Sequence, residues 1–244
     1  MEGKKQEKHF VLVHGMCQGA WCWYKLIPLL KKAGHKVTAL DMEASGINTK
    51  AIEDVLSFEE YSKPLLDFMA SLSIDEKVIL VGHSLGGMNI AFAMEMFPDK
   101  ISAAVFLTAI MPDTVHQPSF VLNKFVESVP EDGWFDTKFW TYGSKQQPLT
   151  AAVFGPQFLQ HCLALSPVQD LELAKRFSSN GYGSVKKIYV ISKEDELINE
   201  EFVRWMIENS EVDQVKEVQG ADHMTMISQP QLLCDCLLQI ESAR

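Results

Sequence analysis

The chain has 244 residues, of which 47% are hydrophobic, enough apolar material for one large α/β sheet carrying an insertion. Its net charge of −10 and the lack of any Lys/Arg run exclude nucleic acid and an anionic membrane surface as expected partners. The charged opening Met1–Lys8 leads into no apolar signal core, and no apolar run reaches the roughly 18 residues of a membrane span. Five cysteines (Cys17, Cys22, Cys162, Cys234, Cys236) are odd in number and lie mostly in apolar patterns. That usage predicts a reducing compartment, the cytoplasm, rather than a disulfide framework. Cys234 and Cys236 have no histidine cluster beside them, so no metal site is expected.

Phe10–Val13 is a short apolar run that reads as a buried strand, ending at the glycine-bearing loop His14–Gly19. Trp21 to Lys32 has helical periodicity and stops at Gly34. Lys36–Leu40 is the second strand. Ser57-Phe-Glu-Glu60 has the form of a capping box and opens a helix to about Ser73.

Val78-Ile-Leu-Val81 is the third strand, and Gly82-His-Ser-Leu-Gly86 after it fits G-x-S-x-G, with a helix over Met88–Phe97. Strand, sharp turn and helix are the setting of a nucleophile elbow, which lifts Ser84 onto the sheet edge above a helix N-terminus. Ile101–Leu107 is the fourth strand. From Met111 to about Gly183 aromatic residues mix with Pro and Gly, and no strand of similar length is evident. Aromatic-rich connections of that length are usually functional, so 111–183 reads as a lid inserted in a core of 1–110 and 184–244. Alternation resumes with a strand at Lys187–Ser192, a helix at Glu200–Ser210 capped by Asn199, a last strand near Val212–Val218 and a closing helix over Pro230–Ile240. About six strands separated by helices imply a mostly parallel sheet covered on both faces.

A serine hydroxyl needs a base, and the base an orienting acid, both in loops beyond the strands' carboxyl ends. Asp195 follows the Lys187–Ser192 strand and His223 follows the last one. The order Ser84…Asp195…His223 is that of the α/β hydrolases. Glu194 and Glu196 flank Asp195 and are alternatives for the acid, whereas Asp213 and Asp222 are placed poorly. His14 and His83 are expected to be backbone-bonded structural residues. His9, His35, His116 and His161 are expected at surface or lid positions. The oxyanion would be held by the backbone N–H of Leu85 and one from the first loop, that of Met16.

Five segments carry a wider resemblance: His9–Gly15, Ala20–Lys25, Ala33–Asp41, Asp75–Met88 and Tyr182–Lys186. Together they resemble the plant methylesterase/hydroxynitrile lyase family of α/β hydrolases across nearly the whole chain. Glu60–Pro64 and Ser228–Cys234 resemble most its polyneuridine aldehyde esterase branch, with methyl salicylate esterase also similar. The resemblance implies an α/β-hydrolase fold and hydrolysis of a methyl ester of an apolar plant metabolite through an acyl-enzyme. The ester would be an indole-alkaloid one of polyneuridine aldehyde type, or that of salicylate, jasmonate or indole-acetate. It implies no cofactor and a small-molecule ester as partner, with a homodimer left open. By motif matching, Gly15, Met16, Ile110, Phe125, Trp134, Phe139, Phe154 and Met224 would line the substrate pocket.

Lyases of this family carry Thr and Lys where this chain has Gly15 and Met224. Gly leaves room for a tetrahedral intermediate and Met offers no cation for cyanide, so the esterase reading leads. The chain departs from the family at Arg176–Asn180, which runs almost directly into Gly181-Tyr182. About one helix's worth of lid is missing there. Met16 also exceeds the small residue usual in the methyl salicylate branch. A reshaped pocket keeps two alternatives open: a non-hydrolytic lyase or cyclase using the same Ser/His site, and a ligand-binding protein with vestigial hydrolysis.

Overall fold

Strands buried on both faces build the centre of the molecule, and their side chains sort by alternation into two apolar layers. The computed structural model describes residues 7–129, 134–143, 148–153, 155, 166–167 and 174–240. In chain order these form β1 (His9–Val13), α1 (Leu26–Lys32), β2 (Lys36–Leu40), α2 (Phe58–Tyr61), α3 (Lys63–Ser71), β3 (Val78–His83), α4 (Gly86–Met96) and β4 (Ile101–Leu107). Then come α5 (Ser119–Ser128), β5 (Lys138–Gly143), β6 (Pro148–Val153), β7 (Ser166–Pro167), β8 (Lys187–Ser192), α6 (Glu200–Glu208), β9 (Gln214–Val218), α7 (Thr225–Ser228) and α8 (Pro230–Leu238).

The main sheet has six parallel strands in the order β2-β1-β3-β4-β8-β9. Val11, Leu80, Phe106, Tyr189 and Ile191 face one way, onto α3, α4 and α6. Phe10, Leu12, Val81, Val105 and Val190 face the other way, onto α1 and α8. A strand covered on both sides has no polar face, so β1, β3, β4 and β8 read as unbroken apolar runs. The fold is that of the α/β hydrolases, as the sequence predicts.

Three elements differ from expectation. The segment expected as a helix from Trp21 is a short 3-10 turn, Ala20–Trp23, with α1 starting only at Leu26. The helix expected from Ser57 to Ser73 is broken at Ser62. Its hydroxyl turns back onto the Phe58 carbonyl at 2.8 Å, and Pro64 in the next turn has no N–H to continue the ladder. Ser57 does cap the first piece, accepting from Glu60 N–H at 2.9 Å.

The third difference lies between β4 and β8. Expected as an aromatic-rich lid without strands like those of the core, this segment carries α5 and a three-stranded antiparallel sheet in the order β5-β6-β7. Phe139, Trp140, Thr141 and Tyr142 are good strand formers, but β5 is largely exposed, so no apolar run announced it. The Tyr142 hydroxyl ties this sheet to the main body through the Val55 carbonyl at 2.7 Å.

His9 and His35, expected at the surface, are each only 5% exposed. His9 sits at the start of a central strand, between Thr38 at 2.8 Å and Glu76 at 2.9 Å. His116 is a surface residue, while His161 lies outside the described residues.

Candidate active site

Ligand sites of parallel sheets lie beyond the carboxyl ends of the strands, and four loops gather there in this chain. The loop after β3 turns at once into α4. A Cβ on Gly82 would fall 2.5 Å from the Gly86 carbonyl oxygen, so only glycine lets strand and helix pass so closely. Between them Ser84 is held at φ +53, a left-handed conformation that is costly for a residue other than glycine. Its own backbone bonds hold it there: Ser84 N–H donates to Leu107 O at 3.3 Å, and Ser84 O accepts from Ile110 N–H at 3.0 Å and Gly87 N–H at 3.1 Å.

The loop after β1 lies against this turn. A Cβ on Gly15 would meet Ser84 Cβ at 2.7 Å and His83 Nδ1 at 2.9 Å. Next to it, the N–H groups of Met16 and Leu85 find no protein acceptor among the described residues.

The loops after β8 and β9 bring a histidine and a carboxylate together. His223 Nδ1 donates to Asp195 Oδ2 at 2.8 Å, with the two side chains only 7% and 1% exposed. Asp195 Oδ1 accepts from the Leu197 and Ile198 N–H groups at 2.9 and 3.0 Å, and Oδ2 also accepts from the Thr108 hydroxyl. Burial pushes this carboxyl up, but the facing His223 and the hydrogen bonds from His223, Thr108 and the Ile198 N–H outweigh it and hold it below the usual range. Glu194 and Glu196, the alternatives weighed for this place, are exposed. Asp222 is engaged elsewhere, accepting from Met224 N–H at 2.9 Å and the Ser228 hydroxyl at 2.8 Å.

His14 and His83 are bonded to backbone, as expected. His14 Nδ1 donates to Gly15 O at 2.8 Å, and Nε2 accepts from Met42 N–H at 3.0 Å. His83 Nε2 donates to the His223 carbonyl at 2.7 Å, with its ring 4.7 Å from that of His223. Burial depresses both, His83 to about 3, helped by the nearby His223. They are neutral near pH 7.

Of the expected pocket residues, Met16, Trp134 and Met224 come together around the buried Cys17, with Leu197 completing the wall. Phe125 meets Trp134 edge-on at 6.2 Å, and Trp134 meets Phe139 at 5.4 Å, so an aromatic chain leads from that wall to Phe139 at the half-exposed end. Ile110 is buried in the core beneath Ser84, its contribution being the N–H bond already described. Phe154 lies outside the described residues. Among the described residues, no three His, Cys, Asp or Glu side chains are grouped to hold a metal ion.

Sequence reading missed Gln18, Thr108, Cys17 and Leu197. Gln18 is 2% exposed. Its Oε1 accepts from Gly15 N–H at 3.3 Å, and its Nε2 donates to Met224 Sδ at 3.1 Å, linking the first loop to the last. Thr108 could have been found as the first residue past β4, the strand between those that lead to Ser84 and Asp195.

Comparison with known proteins agrees with this fold. Residues 8–138 match the family described as alpha/beta hydrolase fold. The chain is 52% identical to salicylic acid-binding protein 2 of Nicotiana tabacum, over 97% of this chain and 98% of that one. It is 51% identical to methylesterase 1 of Arabidopsis thaliana, over 98% of each. It is 50% identical to norfluorocurarine synthase 1 of Strychnos nux-vomica, again over 98% of each. The crystal structure of polyneuridine aldehyde esterase superposes with a TM-score of 0.90 at 47% identity, over 96% of this chain and 98% of that one. The alignment with the tobacco protein spans 254 positions, more than the 244 residues here, so that relative carries residues this chain lacks.

Proposed function

The chain belongs to the plant methylesterase family of α/β hydrolases and is a carboxylic ester hydrolase, and from this we propose that it cleaves the methyl ester of an apolar metabolite by a Ser84–His223–Asp195 triad. Ser84 Oγ attacks the ester carbonyl while His223 Nε2 takes its proton. Asp195 keeps the ring in the tautomer with the proton on Nδ1 and stabilises the imidazolium. The oxyanion is received by the Met16 and Leu85 N–H groups, donors of a kind worth roughly 3–4 kcal/mol each in the transition state. His223 returns the proton to the departing methoxide, which leaves as methanol. Water, deprotonated by the same nitrogen, then releases the acid from Ser84.

The observation that carries this reading is the buried 2.8 Å bond between His223 Nδ1 and Asp195 beside a serine held at φ +53. The strained turn presents the nucleophile, and the bond leaves Nε2 as the ring nitrogen free to act as base. Met16, Cys17, Trp134, Leu197 and Met224 form an apolar wall that suits an uncharged acyl group, aromatic or alkaloid. We read the segment between β4 and β8 as the lid over that wall. The expected partner is the small ester alone, with a homodimer left open. The cysteine usage supports a cytoplasmic enzyme, and no helix among the described residues is long and apolar enough to cross a membrane.

The test is incubation with methyl esters of aromatic hormones and of indole alkaloids, followed by mass spectrometry. One or more should yield the acid and methanol, and Ser84→Ala should reduce that turnover at least a thousandfold. Unchanged turnover of every accepted ester by Ser84→Ala refutes the reading. A second reading, in which the site runs a synthase-type reaction, is favoured by the 50% identity to a protein named norfluorocurarine synthase. Product mass separates the two, since hydrolysis adds water and a rearrangement does not.

A further inference from the structure

Thr108 stands one residue beyond β4 in the left-handed region, at φ +37. Cys17, Ala44, Ser84 and Phe135 share positive φ, but Thr108 is the one β-branched residue among those described, and β-branching makes this conformation most costly. Such strain persists only where the surroundings over-determine it. Here Thr108 N–H donates to Val190 O at 2.8 Å. The Tyr189 hydroxyl then grips the next peptide on both sides, accepting from Ala109 N–H at 3.0 Å and donating to Ala109 O at 2.8 Å. Thr108 and Tyr189 are both fully enclosed.

The strained turn sends the Thr108 hydroxyl to Asp195 Oδ2, the oxygen that also accepts the His223 Nδ1 proton. Without Thr108, the carboxylate would still be held at Oδ1 by two backbone N–H groups, but it could swing about that anchor. With Thr108, both oxygens are fixed and the plane of the carboxylate is set.

We propose that Thr108 is a positioning residue for ester hydrolysis, its strained backbone aiming a hydroxyl that locks Asp195 and, through it, the ring plane and tautomer of His223. The proposal rests on the triad reading above. Thr108 reaches no substrate in this arrangement, so its loss should act on kcat and spare KM.

Three variants test it in steady-state hydrolysis of an accepted methyl ester. Thr108→Val keeps the shape and removes the hydroxyl, and kcat should fall about 10- to 100-fold with KM changed less than about twofold. Thr108→Gly also removes the hydroxyl while relieving the backbone, and should lose kcat to a similar degree while still folding. It carries the test where Thr108→Val does not fold. Thr108→Ser restores the hydroxyl and should recover kcat to within about threefold of the parent. The His223 Nδ1 proton, followed by NMR in labelled protein, should shift in the hydroxyl-free variant and return in Thr108→Ser. Parental kcat in folded Thr108→Val or Thr108→Gly overturns the proposal, as does a Thr108→Ser variant no faster than these two, or a loss confined to KM. Ser84→Ala run alongside keeps the two ideas apart. If it is inactive while Thr108→Val is unimpaired, only the role of Thr108 falls; if it is active, the triad reading falls.

Discussion

At Gly15 the absence of a side chain decides what the site can hold. A Cβ there would lie 2.7 Å from Ser84 Cβ, 2.9 Å from His83 Nδ1 and 3.1 Å from His83 O. These partners are buried or backbone atoms, so no rotamer change relieves the contact. Gly15→Ala should therefore displace the nucleophile or the oxyanion loop, lowering kcat at least tenfold and costing about 1–3 kcal/mol of stability. Ester turnover and urea unfolding check the two effects, and parental values in both would show that the loop yields freely. The positions of Ser84, Asp195 and His223 were readable in the sequence because each lies in the turn or loop that ends a strand and their order fits a known arrangement. Asp195 was preferred over Glu194 and Glu196 by its place in that order, but the reason it faces inward, its bonds from the Leu197 and Ile198 N–H groups, could not be read from the sequence. Thr108 and Gln18 were hidden for a like reason. Their roles follow from a backbone torsion and from loop packing, neither of which a residue pattern records.

Among the elements, α5 is launched by a turn that one carboxylate holds. Asp113, 6% exposed, accepts from the Val115 and His116 N–H groups at 2.8 and 2.7 Å through one oxygen and meets His116 Nδ1 at 2.7 Å through the other. Burial raises this carboxyl, but the His116 side chain and the two N–H donors outweigh it, leaving it below the usual range. A carboxylate lowered on folding stabilises the protein above its unfolded value, about pH 4, and that contribution fades as pH falls towards the folded value. Asp113→Ala should cost about 2–3 kcal/mol near pH 7 in urea unfolding, and less at pH 3. It should also raise KM, because α5 places Phe125 against Trp134. A stability change that is equal at both pH values would contradict this account. The central strands β1, β3, β4 and β8 were readable as elements because burial on both faces leaves a largely apolar run. The strands β5 and β6 were not, because β5 is largely exposed and β6, among its described side chains, buries only the small Ala151 and Ala152, so neither shows a bulky apolar run. The break at Ser62 escaped too, being set by a hydroxyl that bonds within its own turn and accepts from Asn89 on the helix after Ser84.

For the whole molecule, the arrangement that gathers the site also sets a limit on the acid side. The central strands β1 and β3 deliver His14, just past β1, and His83, the last residue of β3, into the enclosed floor beneath Ser84, where burial disfavours an imidazolium. Burial holds both rings neutral, with His83 down at about 3. In the unfolded chain the same rings titrate near 6.5. Above that value neither state carries the protons and stability is flat with respect to these groups. As pH falls below it, the unfolded chain takes up protons that the folded one refuses, so stability falls by about 1.4 kcal/mol per pH unit for each such ring. From His83 alone the loss is about 2 kcal/mol by pH 5, and His14 adds to it in the same direction. Against a total stability of about 5–15 kcal/mol, that is a substantial share. Asp195 and Asp113, lowered in the folded state, begin to contribute to acid loss only below about pH 4, so the histidines should act first. Urea unfolding at pH 7.5, 6.0 and 5.0 should therefore show a flat upper region and then a decline of at least one proton's slope. Stability that stays level from pH 7.5 to 5.0 would mean that one or both rings accept a proton inside the fold, and that the floor of the site is wetter than its packing indicates.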